Sequence, residues 1–388
     1  MANPPQNCRW AFLGLSAIAV KFLKDLLLAR ADEAQLTHSL TCVGTTGGEA
    51  RARAWLAEQR VPGAGEVRVY TSYAELLLHG DFDVVYISTP LGLHFGNARD
   101  ALRAGRHVLL EKPAVVAAAQ WRALGDEARR AGVVLMEAMW TRYQPAVRAF
   151  EETVRPQLGA VRRIVADFSL PVLGDPALPR ESRFQDWRTG AGSLYDLGVY
   201  PLAWVDMALG PPDAASPGTP LARVVHAHTQ PHQGPHGPVD DVTTLVLRRD
   251  DPPCTAIVTT SLSLPGSAVP PHDARLVVPK NAPAVRVQGA LAEAAVPFPP
   301  IRCDVVRLEH YAPPRVGADG FELHDEVRRP LHGWGLRYQA DVIAHAVLAG
   351  EKGLVIGEHS THRILSWLDQ ARDLAQIRLP PGLELIDL

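Results

Sequence analysis

Cysteine is sparse: Cys8, Cys42, Cys254 and Cys303 are the whole complement, and they lie far apart. No Cys-x-x-Cys pair exists to hold a metal or a redox disulfide, so the four read as reduced thiols of a cytosolic protein. Lysine is scarce too, five residues against thirty-four arginines. Acid and base nearly cancel, with 39 Lys plus Arg against 42 Asp plus Glu and a net charge of −3. That balance provides no general attraction to nucleic acid or anionic lipid. No run reaches the ~18 uncharged apolar residues that a bilayer crossing needs. Met1 to Cys8 shows no basic-then-apolar leader, and no segment of roughly 20–50 residues repeats. The expectation is a cytoplasmic protein with neither a nucleic-acid nor a membrane partner.

What is present suits about two domains: 388 residues, 47% hydrophobic and 21% charged. Up to about residue 140, short apolar runs alternate with helical patterns. Arg9 to Gly14, Leu36 to Thr45, Val67 to Tyr70, Phe82 to Ser88, His107 to Leu110 and Val133 to Glu137 read as strands. Helical spacing runs through Ile18 to Arg30, the Ala- and Arg-rich stretch to Gln59, Gly96 to Ala104 and Ala117 to Ala131. Such alternation with short links predicts a doubly wound parallel sheet over residues 1–140. Beyond it, over 141–388, helices at Gln144 to Gln157 and Leu194 to Leu209 flank a strand at Val161 to Leu170. Strand-like runs follow at Arg223 to His228, Val242 to Leu247, Thr255 to Leu264, Arg275 to Val278 and Cys303 to Leu308, without an intervening helix. This order predicts an α+β domain with a large, mostly antiparallel sheet, closed by helices at about Leu336 to Ala349 and His359 to Gln376. A cleft between the two domains is expected. Prolines gather in Pro211 to Pro220 and Pro265 to Pro300, read as ordered loops.

Three segments could carry chemistry at the carboxyl edge of the parallel sheet, where such folds bind ligands. Gly14-Leu15-Ser16-Ala17-Ile18-Ala19 joins the first strand to a helix. Gly14 and Ala19 match the first and third positions of a dinucleotide fingerprint, while Ser16 replaces the second glycine. Backbone N–H groups at Ser16, Ala17 and Ile18 would face a pyrophosphate; equally, the segment suits a plain strand–helix turn. After the second strand, Thr45, Thr46 and Arg51 favour the 2′-phosphate of NADP, with NAD as the alternative that the neighbouring Glu49 supports. Arg51 is equally a solvated helix residue. Glu111-Lys112-Pro113 ends the fifth strand, and a compact ammonium of adjustable pKa at that edge suits proton-transfer chemistry.

With those motifs in view, the chain resembles the glucose–fructose oxidoreductase/inositol dehydrogenase/MocA-like family. Within it, the likeness is to dimeric dihydrodiol dehydrogenases and NADP-dependent D-xylose dehydrogenases. The resemblance rests on RWAFLGLSAIA at 9–19, STPLGLH at 88–94, AGRHVLLEKP at 104–113, LMEAMWTRYQP at 135–145, GAGSLYDLGVYPL at 190–202 and GWGLRYQAD at 333–341. It implies an N-terminal Rossmann domain, a substrate-binding and oligomerisation domain, a nicotinamide cofactor, and a homodimer through the C-terminal sheet. It implies a dehydrogenase or reductase moving hydride to or from a secondary alcohol of a sugar or cyclic diol. Lys112 and Tyr200 would be the catalytic pair, with Asp196 orienting them. An unperturbed tyrosine titrates near pH ~10, and a neighbouring ammonium would favour its phenolate. Thr89, Pro90, His94, Glu111 and Lys112 would line the cofactor. Trp140, Arg142, Arg183 and Tyr200 would line the substrate, with Trp187 a weaker candidate.

Two other readings compete: a biosynthetic enzyme of the same fold with altered or lost cofactor use, motivated by Ser16, and a non-catalytic nucleotide-sensing regulator. The cluster His226, His228, His232 and His236, followed by Asp240 and Asp241, fits no closed tetrahedral spacing, and no metal is expected there.

Overall fold

A computed structural model describes residues 6–29, 35–173, 175, 177–180, 182–210, 222–266, 283–312 and 324–386. The Pro211 to Pro220 segment and the run expected at Arg275 to Val278 lie outside these residues. The chain divides into two compact units. The first comprises 1–143, 332–362 and 384–388, and the second 144–331 and 363–383.

In chain order the strands are β1 (Gln6–Leu13), β2 (Leu36–Gly44), β3 (Arg68–Tyr70), β4 (Val84–Ile87), β5 (His107–Glu111) and β6 (Leu135–Ala138) in the first unit. The second unit holds β7 (Arg163–Asp167), β8 (Arg223–Gly234), β9 (Gly237–Arg249), β10 (Cys254–Thr260), β11 (Val285–Gln288), β12 (Ala292–Val296), β13 (Val305–His310) and β14 (Asp325–Arg328). The chain then returns to the first unit for β15 (Val355–Ile356). The helices are α1 (Ala17–Leu26), α2 (Glu49–Glu58), α3 (Tyr73–His79), α4 (His94–Arg103), α5 (Ala118–Ala131), α6 (Pro145–Ala149), α7 (Ser193–Asp196), α8 (Val199–Leu209), α9 (Arg337–Leu348) and α10 (Glu358–Ala375).

The sheet of the first unit is wholly parallel, in the order β15-β6-β5-β4-β1-β2-β3. From β1 the chain winds outward through β2 and β3, then crosses back to β4 on the other side of β1. The direction of winding reverses between β1 and β4, and their carboxyl ends open a crevice there. All four residues of β4 are buried, as its unbroken apolar run requires in a sheet covered on both faces. Trp10, Phe12, Phe22 and Tyr86 form the aromatic centre: Phe22 and Tyr86 ring centres are 4.3 Å apart, and Phe12 meets Tyr86 edge-on at 5.1 Å. α1 turns Ala19, Phe22, Leu23 and Leu26 inward, the spacing of one helix face.

The second sheet runs β14-β13-β12-β11-β7-β10-β9-β8. Every neighbouring pair is antiparallel except β7 with β10. α8 is buried along its whole length. Trp204 on it donates its indole N–H to the Pro300 carbonyl at 2.9 Å.

Several elements differ from expectation. β11 and β12 occupy part of the proline-bearing stretch read as loop. In β12 the alternation is real, with Ala292, Ala294 and Val296 buried, but alanine has little strand propensity and conceals it. β14, β15 and α3 are too short for periodicity to reveal. The expected helix over 194–209 is two helices, α7 and α8, separated by Leu197 and Gly198. The chain passes so close there that a Cβ on Gly198 would stand 2.6 Å from the Leu194 carbonyl oxygen. Residues 332–362, assigned by sequence to the second domain, belong with the first unit, where β15 pairs with β6.

That return segment is tied down by Asp25, a buried carboxylate on α1. It accepts from Trp334 N at 2.9 Å and from Leu336 N at 2.8 Å. Asp25→Ala is expected to cost about 2–4 kcal/mol, two hydrogen bonds to a charged acceptor, read as a lowered midpoint in urea unfolding.

Candidate active site

The fingerprint turn obeys its backbone. Gly14 has φ +94°, and an added Cβ would stand 3.3 Å from the Ser88 carbonyl group and from Thr89 Cγ2. Glycine is therefore required on two grounds, conformation and close approach. Ser88 donates its hydroxyl to the Gly14 carbonyl at 3.1 Å, joining the β1 and β4 ends. Ser16 has φ −78° and needs no glycine. Its Oγ accepts from Ala19 N at 3.2 Å and caps α1. The hydroxyl hydrogen remains a donor, so serine fits a phosphate-facing turn. The exposed Ala17 and the half-buried Ile18 open the helix, whose first N–H groups lack helical partners. This cradle fits a dinucleotide pyrophosphate.

Past β2, Thr45 is buried and its Oγ accepts from Gly47 N at 3.0 Å, shaping the turn into α2. Thr46 is exposed and hydrogen-bonded to Tyr73. Arg51 is exposed and lies against Gly47. Glu49, the residue favouring NAD, pairs with Arg53 one turn along the helix at 3.4 Å. A cation and hydroxyls remain over the turn, the donor set that suits a 2′-phosphate.

At the end of β5, Lys112 is half-buried and precedes Pro113 through a cis peptide. Two buried carboxylates stand under this turn. Glu111 accepts from the Tyr86 hydroxyl at 2.7 Å and from Lys112 N at 3.1 Å. Glu137, on β6, accepts from Ala114 N at 3.0 Å and from the Thr361 hydroxyl at 2.7 Å. Burial pushes both carboxyl pKa values up, while their hydrogen bonds and the Lys112 charge hold them down. His94 closes the other side: Nε2 faces the Thr89 carbonyl at 2.8 Å and Nδ1 faces the Pro113 and Ala114 carbonyls at 3.0 and 3.2 Å. Burial pulls the imidazole pKa below its ordinary value.

His94 and Glu111, expected among the cofactor contacts, thus turn inward and join the strand ends. A polar side chain 2% or 5% exposed with these partners is a brace. Thr89 is likewise engaged, its hydroxyl accepting from Asn97 at 2.9 Å, while Pro90 is exposed. Trp140, expected to wall a pocket, is 5% exposed within the first unit. Arg142 is half-buried and within electrostatic range of Glu137. Glu137, Tyr86 and Thr361 escaped the sequence reading because nothing in their local pattern separates a bracing side chain from ordinary core.

In the second unit, Asp196 ends α7 and Tyr200 lies in the first turn of α8, just before Pro201. Arg183 donates to Asp196 Oδ1 at 2.5 Å and its guanidinium lies over the Phe184 ring. Tyr200 is buried and meets Phe168 edge-on at 5.4 Å. Trp187 donates to the His236 carbonyl at the tip of the β8–β9 hairpin. The histidine-rich segment is that hairpin, and among the described residues no cluster of three or more His, Cys, Asp or Glu could hold a metal. Asp240, at the base of the tip, is fully buried. It accepts from Ser193 Oγ at 3.0 Å and Leu194 N at 2.7 Å, and so starts the helix that carries Asp196. Gly192 makes room for it, since a Cβ there would lie 1.9 Å from Asp240 Oδ1.

A parallel sheet with a glycine-lined crevice at its reversal point defines a dinucleotide-binding protein. Residues 8–139 match a family described as an oxidoreductase family with an NAD-binding Rossmann fold, and 154–279 match the GFO/IDH/MocA C-terminal domain. The chain belongs to the GFO/IDH/MocA oxidoreductase family. It is 29% identical over 371 residues to the D-xylose 1-dehydrogenase (NADP(+)) of Hypocrea jecorina, spanning 89% of this chain and 86% of that one. It is 34% identical over 203 residues to the trans-1,2-dihydrobenzene-1,2-diol dehydrogenase of Sus scrofa, spanning 52% of this chain and 56% of that one. Among solved structures, the fold is shared with a 3-ketoreductase from Actinomadura kijaniata in complex with NADP and TDP-benzene. There the TM-score is 0.71 at 22% identity, over 95% of this chain and 98% of the other. It is shared also with a levoglucosan dehydrogenase in complex with NADH and levoglucosan, with a TM-score of 0.74 at 17% identity over 96% and 98%. Among the described residues no helix is long and apolar enough to cross a membrane.

Burial raises Asp240 to about 6, with the Asp196 charge adding to the rise. A carboxyl whose folded pKa is raised binds its proton more tightly when folded, so its contribution to stability is full below the unfolded value near ~3.9 and is lost as pH rises through about 6. Thermal unfolding of the wild type between those values is expected to show this decline, and Asp240→Asn to flatten it; an unchanged slope in the variant refutes the assignment.

Proposed function

We propose that this chain is an NADP-linked oxidoreductase that moves hydride between a nicotinamide and the secondary alcohol carbon of a sugar or cyclic diol. The observation that carries the reading is Lys112 in a braced turn at the carboxyl edge of β5, on the sheet whose β1–β4 crevice suits a dinucleotide. The names of the relatives in Hypocrea jecorina and Sus scrofa supply the substrate classes and the NADP preference.

The bound nicotinamide supplies the hydride acceptor. In the oxidative direction the Tyr200 phenolate oxygen takes the substrate hydroxyl proton. The Lys112 ammonium favours that phenolate and hydrogen-bonds the reacting oxygen. Asp196, held by Arg183, orients the substrate beside Tyr200. Convergence of Lys112 and Tyr200 on one carbon is part of the proposal. So is the assignment of 1–140 to cofactor binding and of 141–388, apart from the 332–362 segment that joins the first unit, to substrate binding and assembly. Arg142 and Trp140 belong to the substrate side in this reading. The protein acts as a cytoplasmic homodimer, paired through the second sheet. Support for the pairing is that sheet's exposed Val165 and Tyr311 beside charged Arg286 and Arg307. Support for the compartment is that all four cysteines are buried free thiols. Sedimentation velocity is expected to give a dimer, and a monomer at micromolar concentration sinks the pairing.

Fluorescence titration is expected to show NADPH binding more tightly than NADH, with the preference falling about tenfold or more in Arg51→Ala, the loss of one charge-assisted phosphate contact. Tyr200→Phe is expected to keep NADPH affinity while kcat on D-xylose or a cyclic diol drops by about 10²–10⁴, the usual contribution of a positioned acid/base. Unchanged turnover removes Tyr200 from the mechanism.

A further inference from the structure

All four oxygens of the Glu111 and Glu137 carboxylates are met by donors: the Tyr86 hydroxyl, Lys112 N, Ala114 N and the Thr361 hydroxyl. Two of those are backbone N–H groups, which cannot reverse to become acceptors. A protonated carboxyl needs an acceptor for its own hydrogen. Each acid meets one such amide and one hydroxyl; only the hydroxyl could reverse to accept from a protonated carboxyl, so the four bonds favour the ionised forms against the upward push of burial and, for Glu111, of the Glu137 charge. Two buried anions so placed require cations nearby, because an uncompensated buried charge is costly. The cations in electrostatic range are Lys112 for both acids and Arg142 for Glu137. His94, which feels the Lys112 charge, is buried, and burial favours its neutral form.

We propose that Glu137, acting with Glu111, is a positioning residue for Lys112: the two carboxylates form a seat that fixes the Lys112-Pro113-Ala114 turn and holds the lysine ammonium protonated. Glu111 bonds the amide of Lys112 itself and Glu137 bonds the amide two residues on, so the seat grips both sides of Pro113. Thr361 locks the second oxygen of Glu137 from the start of α10, and Tyr86 locks Glu111 from β4. The seat thus draws on β4, β5, β6 and α10. The catalytic consequence rests on the oxidoreductase reading; the charge consequence does not.

Two readouts separate them. The rate of Lys112 acetylation against pH, followed by mass spectrometry on the full chain, titrates the amine without any turnover. Glu137→Gln preserves side-chain size and removes one negative charge, so the Lys112 midpoint is expected to fall by about one pH unit. Glu137→Asp keeps the charge but shortens the reach to Ala114, so the midpoint is expected to move less. Thr361→Val strips one hydrogen bond from the same carboxylate, favours its protonation, and is expected to shift the midpoint in the same direction as Glu137→Gln. It stands in should that variant fail to fold. A Lys112 midpoint unchanged in Glu137→Gln, or in Thr361→Val standing in, overturns the seat whatever the activity. In turnover with NADP and D-xylose, the limb of the kcat–pH profile set by Lys112 is expected to move to lower pH in Glu137→Gln, because losing an anion lowers the pKa of the ammonium it faces. A uniform loss of kcat with both limbs in place assigns Glu137 a purely structural role and overturns the proposal. A shifted Lys112 midpoint in a protein that turns over no alcohol leaves the seat standing and removes the oxidoreductase reading instead.

Discussion

A carboxylate taken out of water must recover in hydrogen bonds and opposite charge what it loses in hydration, a debt of several kcal/mol. That constraint governs the carboxyl edge of the parallel sheet. β5 ends on Glu111 and β6 carries Glu137 as its next-to-last residue; both are buried, and each accepts from one backbone amide of the Lys112–Ala114 turn and from one hydroxyl. Another course of the turn would take one amide donor from each carboxylate. A lysine at a strand end elsewhere would be a mobile surface cation; here its own backbone is part of the solution to a burial problem.

The same device recurs through the molecule. Asp25 gathers the amides of Trp334 and Leu336 and fastens the return segment to α1. Adjacent residues of β9 face opposite sides of the sheet, and both are buried aspartates. Asp240 starts α7, while Asp241 accepts from Leu262 N at 2.7 Å and Ser263 N at 3.0 Å. Loops that carry candidate site residues are thus pinned by acids on regular elements, which holds them to a small range of positions. A loop so held loses less freedom when a ligand arrives, and the fixed geometry is a condition for proton and hydride transfer. The family assignment fits this economy: the chemistry belongs to the cofactor, and the chain supplies orientation and electrostatics.

Much of the fold was legible because parallel strands buried on both faces leave an unambiguous mark. Val84 to Ile87 and Val108 to Leu110 are apolar without alternation, and the helices between them show one inward face. The second sheet was only partly legible. β12 is rich in alanine, and β14 and β15 are shorter than any periodicity can register. Of the site, Gly14 and Lys112 announced themselves by motif and position. Asp196 and Arg183 were both candidates, but their pairing was invisible, since they lie thirteen positions apart across a loop that no periodicity describes. His94 and Glu111 were legible as important, but their inward hydrogen bonds were not, because a motif shows that a side chain is constrained without showing which way it faces.

The amino-acid sequence by itself determined the secondary-structure alternation, the doubly wound class of the first half, and the residues at which a ligand-facing turn must occur. These follow from local steric and hydrophobic rules that act over a few residues. Tertiary structure alone decided that Ser16 is unstrained, that Asp240 ties the histidine-rich hairpin to the start of α7, and that Glu137 shares Lys112's turn with Glu111. Those outcomes depend on which groups, distant in the chain, are forced to exchange water for one another, and burial is a property of the whole fold rather than of any segment.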